Sequence, residues 1–312
     1  MYLGVDLGGT GIKIGLVDEN GSILHKDICP TQAMEDYKII VKDMASLIKK
    51  ILNDTDTNTM EIKAIGIGCP GSIDDKNGVV LYANNLNLHN APLSCELKKY
   101  FDIPVYVGND ANCAALGEFF ALNDENITDI VAITLGTGVG GGIIINKKIF
   151  TGTNGIAGEL GHTVINVGGE KCSCGRNGCW EAYASATALI RDTEKAAKEN
   201  PDSYVAKLVA ENGGKASGEI SFNAAKEGDE TGKKLVENYV IYVAEGIVNI
   251  VNIFQPHAVV IGGGVSNAGD ALLTPVKEYV KKNAYGGALQ TKISIAKLGN
   301  DAGIIGAAFL GK

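Results

Sequence analysis

Residues Val5–Gly21 read VDLGGTGIKIGLVDENG, which places two apolar, strand-like segments on either side of a turn of glycine and threonine. The apolar run begins at Tyr2, and a Glu-Asn-Gly turn leads on to a third segment, SILHKDI. We therefore expect a meander of antiparallel strands. The glycines do not open a helix, and no Gly-Lys-Ser/Thr ends the loop, so the stretch is neither a dinucleotide fingerprint nor a P-loop.

The same pattern, two apolar segments on either side of a glycine and threonine turn, recurs at Ile133–Ile149, ITLGTGVGGGIIINKKI. A third glycine cluster lies in VVIGGGVS. Glycine turns let backbone N–H groups approach an anion, and threonine adds a hydroxyl donor. One such hairpin is more often a simple tight turn, but the recurrence favours a nucleotide-binding role. The candidate phosphate-binding residues are Gly8, Gly9, Thr10, Gly136, Thr137, Gly138, Gly262, Gly263 and Gly264.

Strand-like and helical patterns alternate along the chain, which is typical of an α/β fold. In Glu35–Leu52 apolar residues recur at three- and four-residue intervals and predict an amphipathic helix, and Thr231–Phe254 predicts a long one. Buried strands are predicted at IKAIGIGCPG, IPVYVGND, AVVIGGG and KISIAKL, the second of them leading into a helix near Ala111. A length of 312 residues favours two domains.

Composition narrows the function classes. The chain is 45% hydrophobic and 21% charged with a formal net charge of −8, which argues against nucleic acid as a partner. The amino terminus enters a strand without a signal-peptide pattern, and the apolar helical stretch Val243–Phe254 is too short to span a bilayer. We expect a cytoplasmic protein with no membrane partner.

The cysteines divide into scattered ones and a cluster. Cys172, Cys174 and Cys179 form C-x-C-x4-C, with His162 shortly upstream. Three thiolates and one imidazole fit a closed tetrahedral zinc site. A disulfide is disfavoured in the cytosol, and a redox pair is more often C-x-x-C, so zinc is favoured over both. Because four protein ligands leave no open position, the zinc is expected to be structural.

Several motifs together resemble the ROK family of sugar kinases and repressors, and most closely its bacterial glucokinases. They are DLGGTGIKIGLVD, GIGCPGSID, GNDANCAALGE, LGTGVGGGIIINKKIFTGTNGIAGELGH and CSCGRNGCWE. The resemblance implies the actin-like ATPase (ribonuclease H-like) fold, two α/β domains with a cleft between them. It places a small domain at 1–115 plus 301–312 and a large one, with the zinc-binding insertion, at 116–300.

Roles in catalysis follow from the resemblance. Asp110 corresponds to the general base that takes the proton of the sugar hydroxyl as its oxygen attacks the γ-phosphate of ATP. The alternative for Asp110 by itself is a helix cap. Asp6 is expected to hold Mg²⁺ through water. Lys13 is expected to approach a phosphate, although a surface lysine is nearly as consistent with its position.

The resemblance also implies sugar contacts from both halves of the chain, namely Asn85, Asn109, Asp110, Glu159, His162 and Glu181. The chain departs from the family around Asn85, where Asn84 and Leu88 stand in place of a proline and an aromatic residue. His162 is expected to bind zinc through one ring nitrogen and sugar through the other. Zinc is thereby expected to fix the separation of Glu159 and Glu181.

The implied activity is ATP-dependent phosphorylation of glucose at its C6 hydroxyl by a homodimer or homotetramer. The segment EAYASATALIR resembles glucokinases more than fructokinases. Kinases of N-acetylmannosamine and N-acetylglucosamine share the cysteine cluster and are the nearest alternative. A sugar-sensing repressor is a further alternative, disfavoured because the first strand begins at Tyr2 without a preceding DNA-binding domain. The sequence does not fix the phosphoryl donor, so polyphosphate and ADP stay open.

Overall fold

The structure, a computed structural model, describes residues 1–286 and 290–312. The strands are β1 (Tyr2–Leu7), β2 (Gly11–Val17), β3 (Ile23–Pro30), β4 (Ala64–Cys69), β5 (Ser72–Asp74), β6 (Val79–Ala83), β7 (Leu88–Ala91), β8 (Val105–Asn109), β9 (Ile130–Leu135), β10 (Val139–Ile145), β11 (Lys148–Ile149), β12 (Ala258–Gly262) and β13 (Lys292–Ile295). The helices are α1 (Tyr37–Asp54), α2 (Leu93–Leu97), α3 (Asp110–Leu122), α4 (Glu181–Ala184), α5 (Ala186–Glu199), α6 (Tyr204–Glu211), α7 (Ile220–Lys226), α8 (Glu230–Phe254), α9 (Asp270–Asn283) and α10 (Ala302–Ala308).

Mixed sheets form the framework. The strand orders are β3-β2-β1-β4-β8 in one sheet, β11-β10-β9-β12-β13 in a second and β5-β6-β7 in a small third. In the first sheet β1, β4 and β8 run parallel, while β2 and β3 add the antiparallel meander. The predicted meander and the α/β class are confirmed.

The helices form where capping and periodicity favour them. α1 begins after Asp36, whose side chain accepts a hydrogen bond from the Lys38 N–H, and it buries Ile40, Met44 and Ile48 on one face. α8 confirms the predicted long helix and is capped by Asp229 in the same way. Within residues 1–286 and 290–312, no helix combines the length and apolar character needed to cross a membrane.

The chain divides into two compact units. The first comprises residues 1–128, 142–158 and 297–312, and the second comprises 129–141 and 159–296. The boundary expected at residue 115 falls inside α3. This helix belongs wholly to the first unit because it packs closely on α10: a Cβ added to Gly306 would lie 1.6 Å from the Cys113 carbonyl oxygen, and one on Gly117 would lie 2.4 Å from that of Ala302.

Candidate active site and metal cluster

In the first unit the parallel strands bring two carboxylates to one edge of the sheet. Asp6 of β1 is level with Gly68 of β4, and Gly68 is level with Gly108 of β8, so Asp110 lies two residues beyond that row. Because the carboxyl ends of parallel strands share an edge, Asp6 and Asp110 belong to the same edge. Both are partly buried.

Asn109 caps the helix that Asp110 begins. The Asn109 Oδ1 accepts hydrogen bonds from the N–H groups of Ala111 (3.0 Å) and Asn112 (3.2 Å), and its Nδ2 donates to the Gly71 carbonyl at 3.2 Å. One oxygen of Asp110 also accepts from the Ala111 N–H, at 2.9 Å. Asn109 therefore caps the helix start, and Asp110 is a second acceptor for the Ala111 N–H.

The first glycine turn is tied back to the sheet. The Gly8 N–H donates to the Gly11 carbonyl at 2.9 Å, and the Thr31 hydroxyl donates to the Gly8 carbonyl at 2.7 Å. A Cβ on Gly9 would lie 3.4 Å from the carbonyl oxygen of Asn85. The turn and the short helical segment that carries Asn85 are thus neighbours, so the predicted phosphate and sugar residues of this unit lie close together.

Asp6 pairs with Lys13 across the first hairpin. The two residues are opposite each other in the antiparallel register, and the Lys13 Nζ lies 3.0 Å from Asp6 Oδ2. Gly303 of α10 faces the same carboxylate, because a Cβ there would lie 3.4 Å from the Asp6 Cγ. The Lys13 side chain is 43% exposed and that of Asp6 is 22% exposed, so solvent reaches both.

Two buried thiols lie beneath the carboxylates. Burial raises the pKa of Cys69 and of Cys113, and the charge of Asp110 raises both pKa values further. The charge of Asp6 adds to the pKa shift of Cys113. These thiols stay protonated at neutral pH and behave as small apolar groups that pack under the sheet edge.

The other two glycine clusters meet in the second unit. Gly136, Thr137 and Gly138 form the turn between β9 and β10, closed by a 3.0 Å hydrogen bond from the Gly136 N–H to the Gly138 carbonyl. Gly263 has φ +85°, and a Cβ there would lie 2.5 Å from the backbone of Leu135, the residue before that turn. Only glycine fits this contact.

The histidine and the three cysteines of the cysteine cluster lie close together. The candidate ligand atoms of His162, Cys172, Cys174 and Cys179 all lie within 4.8 Å of one another. His162 Nδ1 is 3.6 Å from the sulfur of Cys172, and the sulfurs of Cys174 and Cys179 are 3.6 Å apart. A disulfide would need about 2.05 Å between sulfurs.

These distances fit a zinc ion. Tetrahedral zinc with Zn–S of about 2.3 Å and Zn–N of about 2.0–2.1 Å sets sulfur–sulfur edges of about 3.8 Å and sulfur–nitrogen edges of about 3.6 Å. Without a metal, burial raises the pKa of Cys179 to about 12, whereas a hydrogen bond from the Arg176 backbone lowers the pKa of Cys174. The donor set is thus compatible with zinc, which binds the deprotonated thiols.

Backbone pairing also frames the cluster. The Trp180 N–H donates to the Thr163 carbonyl at 2.8 Å, and the Ile165 N–H donates to that of Gly178 at 2.9 Å. A Cβ on Gly161 would lie 2.2 Å from the carbonyl oxygen of Val139, so the His162 turn lies against the start of β10. The cluster is therefore joined to the second glycine turn without any metal.

The sequence of the whole chain fits one known family. The model of the ROK family matches residues 2–312. The chain belongs to the ROK family. Among ROK relatives, a glucokinase from Halalkalibacterium halodurans is 39% identical over 100% of this chain and 94% of its own length. A xylose repressor from Caldicellulosiruptor bescii is 34% identical over 97% of this chain and 76% of its own length.

Solved ROK structures agree with the fold. A ROK family glucokinase from Streptomyces griseus in complex with glucose and AMPPNP superposes with a TM-score of 0.79 at 35% identity. The match covers 99% of this chain and 98% of that one. The fold is accordingly that of ROK sugar kinases, with α/β units built on mixed sheets as predicted.

Within each unit of this ROK protein the predicted residues come together, and three further residues emerge that sequence reasoning missed. Ser173 hydrogen-bonds Glu181, Gly303 packs on Asp6, and Glu118 holds the segment that leads to α10. The partners of Gly303 and Glu118 are distant in sequence, and the Ser173–Glu181 contact depends on how the cysteine loop folds back, so the spacing of motif residues does not reveal them. The roles assigned to individual site residues stay predictions.

Proposed function

We propose that this protein is a glucokinase that transfers the γ-phosphoryl group of ATP to the C6 hydroxyl of glucose. The observation that carries the proposal is the position of Asp110, at the head of α3 on the same sheet edge as Asp6. Full-length similarity to a glucokinase and to a glucose- and AMPPNP-bound glucokinase supports the substrate and the donor.

Asp110 would act as the general base. A carboxylate at this place can accept the C6 hydroxyl proton as the oxygen attacks phosphorus, a contribution of about 10²–10⁴ in rate. Asn109 already caps α3, so Asp110 is not needed to satisfy the helix start. Asn85 and Asn109 would position sugar hydroxyls in the same unit.

The glycine turns would hold the triphosphate. Backbone N–H groups in the turns Gly8–Thr10, Gly136–Gly138 and Gly262–Gly264 are the donors proposed for phosphate oxygens. The N–H groups of Gly8 and Gly136 instead close their turns by hydrogen bonds to the carbonyls of Gly11 and Gly138. When bound, Mg²⁺ supplies charge neutralisation at the phosphates. Asp6 would hold the ion through water, and Lys13, which now pairs with Asp6 at 3.0 Å, would move to a phosphate when the ion is present.

The proposed zinc site is structural. His162, Cys172, Cys174 and Cys179 would hold the ion, and they fix the segments that carry Glu159 and Glu181. The His162 N–H donates to the Glu159 carbonyl at 3.1 Å, so the metal ligand and this proposed sugar carboxylate share one short turn. Carboxylates that accept from pairs of sugar hydroxyls would provide specificity.

A coupled ATP-consumption assay with MgATP tests the proposal on glucose, mannose, N-acetylmannosamine, N-acetylglucosamine and fructose. Glucose should give the highest kcat/KM. A higher value for an N-acetylated sugar would overturn the substrate assignment and leave the kinase mechanism. No turnover with any sugar would overturn the enzyme assignment in favour of sensing or another donor. A homodimer or homotetramer is also proposed, and sedimentation velocity tests it.

A further inference from the structure

The carboxylate of Glu181 lies between the cysteine loop and the second glycine turn. Its Oε1 accepts a hydrogen bond from the Ser173 hydroxyl at 2.9 Å, and its Oε2 accepts one from the Val139 N–H at 3.1 Å. Ser173 stands between two of the cluster cysteines, and Val139 directly follows Gly138. One side chain therefore connects the two segments.

The carboxylate is held by shape as well as by hydrogen bonds. A Cβ on Gly138 would lie 2.3 Å from Glu181 Oε2, so the glycine turn packs directly on this oxygen. On the other side, the Cys172 sulfur lies 3.6 Å from Oε1. A metal-bound thiolate has no proton to donate, so with zinc in place the Ser173 hydroxyl is the side-chain donor that satisfies Oε1.

The carboxylate keeps capacity for a ligand. An ionised carboxylate offers about four lone-pair sites, and the Ser173 and Val139 donors use two of them. Hydrogen bonds to charged groups are directional and stronger than neutral ones. Two such donors, one on each oxygen, fix both the rotamer and the plane of the carboxylate.

We propose that Ser173 is a positioning residue for sugar binding: with the Val139 N–H it fixes the Glu181 carboxylate in the orientation that sugar hydroxyls require. The inference rests on the proposed function, in which Glu181 is a sugar contact. It assigns to the residue between Cys172 and Cys174 a role beyond spacing the metal ligands.

Three variants test the inference: Ser173→Ala, Ser173→Thr and Glu181→Gln. Isothermal titration calorimetry without nucleotide gives the glucose Kd, and elemental analysis gives the zinc content. Ser173→Ala should raise the glucose Kd about 10–150-fold, the equivalent of one hydrogen bond to a charged acceptor. Zinc content and the KM for ATP should stay within about twofold. Ser173→Thr, which keeps a hydroxyl, should restore most of the affinity.

A double-mutant cycle separates positioning from general loop stability. In the Glu181→Gln background, Ser173→Ala should have little further effect on the glucose Kd, because its partner is already altered. Ser46→Ala, an exposed hydroxyl on α1, is the matched control and should leave binding unchanged. Wild-type affinity in Ser173→Ala, zinc loss in that variant, or full additivity in the cycle would each overturn the inference. A wild-type protein that binds no hexose would instead overturn the proposed function, and the inference with it.

Discussion

Replacing Glu118 by glutamine or alanine should loosen the segment that leads into α10. Glu118 lies on α3 with only 4% of its surface exposed, and it accepts hydrogen bonds from two consecutive backbone N–H groups, those of Lys297 and Leu298, each at 2.8 Å. Residue 297 is also where the chain re-enters the first unit. The carboxylate thus holds the connection between β13 and α10. Gly303 of α10 packs on Asp6.

The magnitude follows from the two bonds. A hydrogen bond to a charged acceptor contributes about 1.5–3 kcal/mol. Glutamine keeps one acceptor oxygen and turns an N–H group toward the other donor, so Glu118→Gln should cost about 1.5–3 kcal/mol, and Glu118→Ala about twice that. At about 2–4 °C per kcal/mol, Glu118→Gln lowers the Tm by about 3–12 °C.

Amide hydrogen exchange measures the effect where it arises. The N–H groups of Lys297 and Leu298 should exchange about 10- to 150-fold faster in Glu118→Gln, the equivalent of the same free energy. Glu125→Gln, an exposed change in the same unit, is the matched control and should alter neither the Tm nor the exchange rates. Unchanged protection of these two amides in Glu118→Ala would show that the Glu118 carboxylate does not hold this segment.

Three further predictions concern the metal, the core and the thiols. Chelating zinc should weaken glucose binding, as measured by calorimetry. Circular dichroism should still report a folded protein, because backbone hydrogen bonds also hold the cysteine cluster together. Full glucose affinity in a metal-free sample would argue against this prediction. Gly246→Ala should lower the Tm and shift the fluorescence emission of the single tryptophan, because a Cβ would lie 2.0 Å from the Trp180 ring. Overpacking costs about 1–3 kcal/mol, which is more than alanine gains in helix propensity. An unaltered Tm and emission spectrum would contradict this prediction. At about pH 9, a thiol-alkylating reagent should label exposed Cys95, as measured by mass spectrometry, while Cys69 and Cys113 stay unmodified because burial raises their pKa. Labelling of Cys69 or Cys113 in the folded protein would show that burial does not protect these thiols.

Much of the fold was predictable because its signals are local. The apolar periods of α1 and α8 and the glycine turn after Leu7 each lie within one stretch of sequence, and the structure has these elements close to the expected residues. The extent of the first unit, which runs to residue 128 and not to the expected residue 115, was not predictable in this way. The packing of α3 on α10 depends on glycines at Gly117 and Gly306, whose partners lie far away along the chain.

For the cysteine cluster, the sequence likewise predicts the candidate ligands but not the other contacts that they make. The spacing of its cysteines predicts the ligand set because zinc chemistry restricts ligand types, and the ligand atoms do lie together. The hydrogen bond from Ser173 to Glu181 was not predictable, since nothing in C-x-C indicates that the intervening hydroxyl reaches Glu181. The Asn109 side chain was expected to bind sugar hydroxyls, yet its oxygen caps α3 by accepting hydrogen bonds from the backbone. Only the backbone geometry at the start of α3 reveals this.

If Asp110 removes the proton from the sugar hydroxyl, as proposed, Asp110→Asn should abolish proton transfer and leave sugar binding in place. Glucose binding by calorimetry and turnover by the coupled assay should be measured on the same preparation, with α3 kept intact by the Asn109 cap. We expect a glucose Kd within a few-fold of wild type and a kcat lower by about 10²–10⁴. A variant that binds glucose and turns over within about tenfold of the wild-type rate would contradict it.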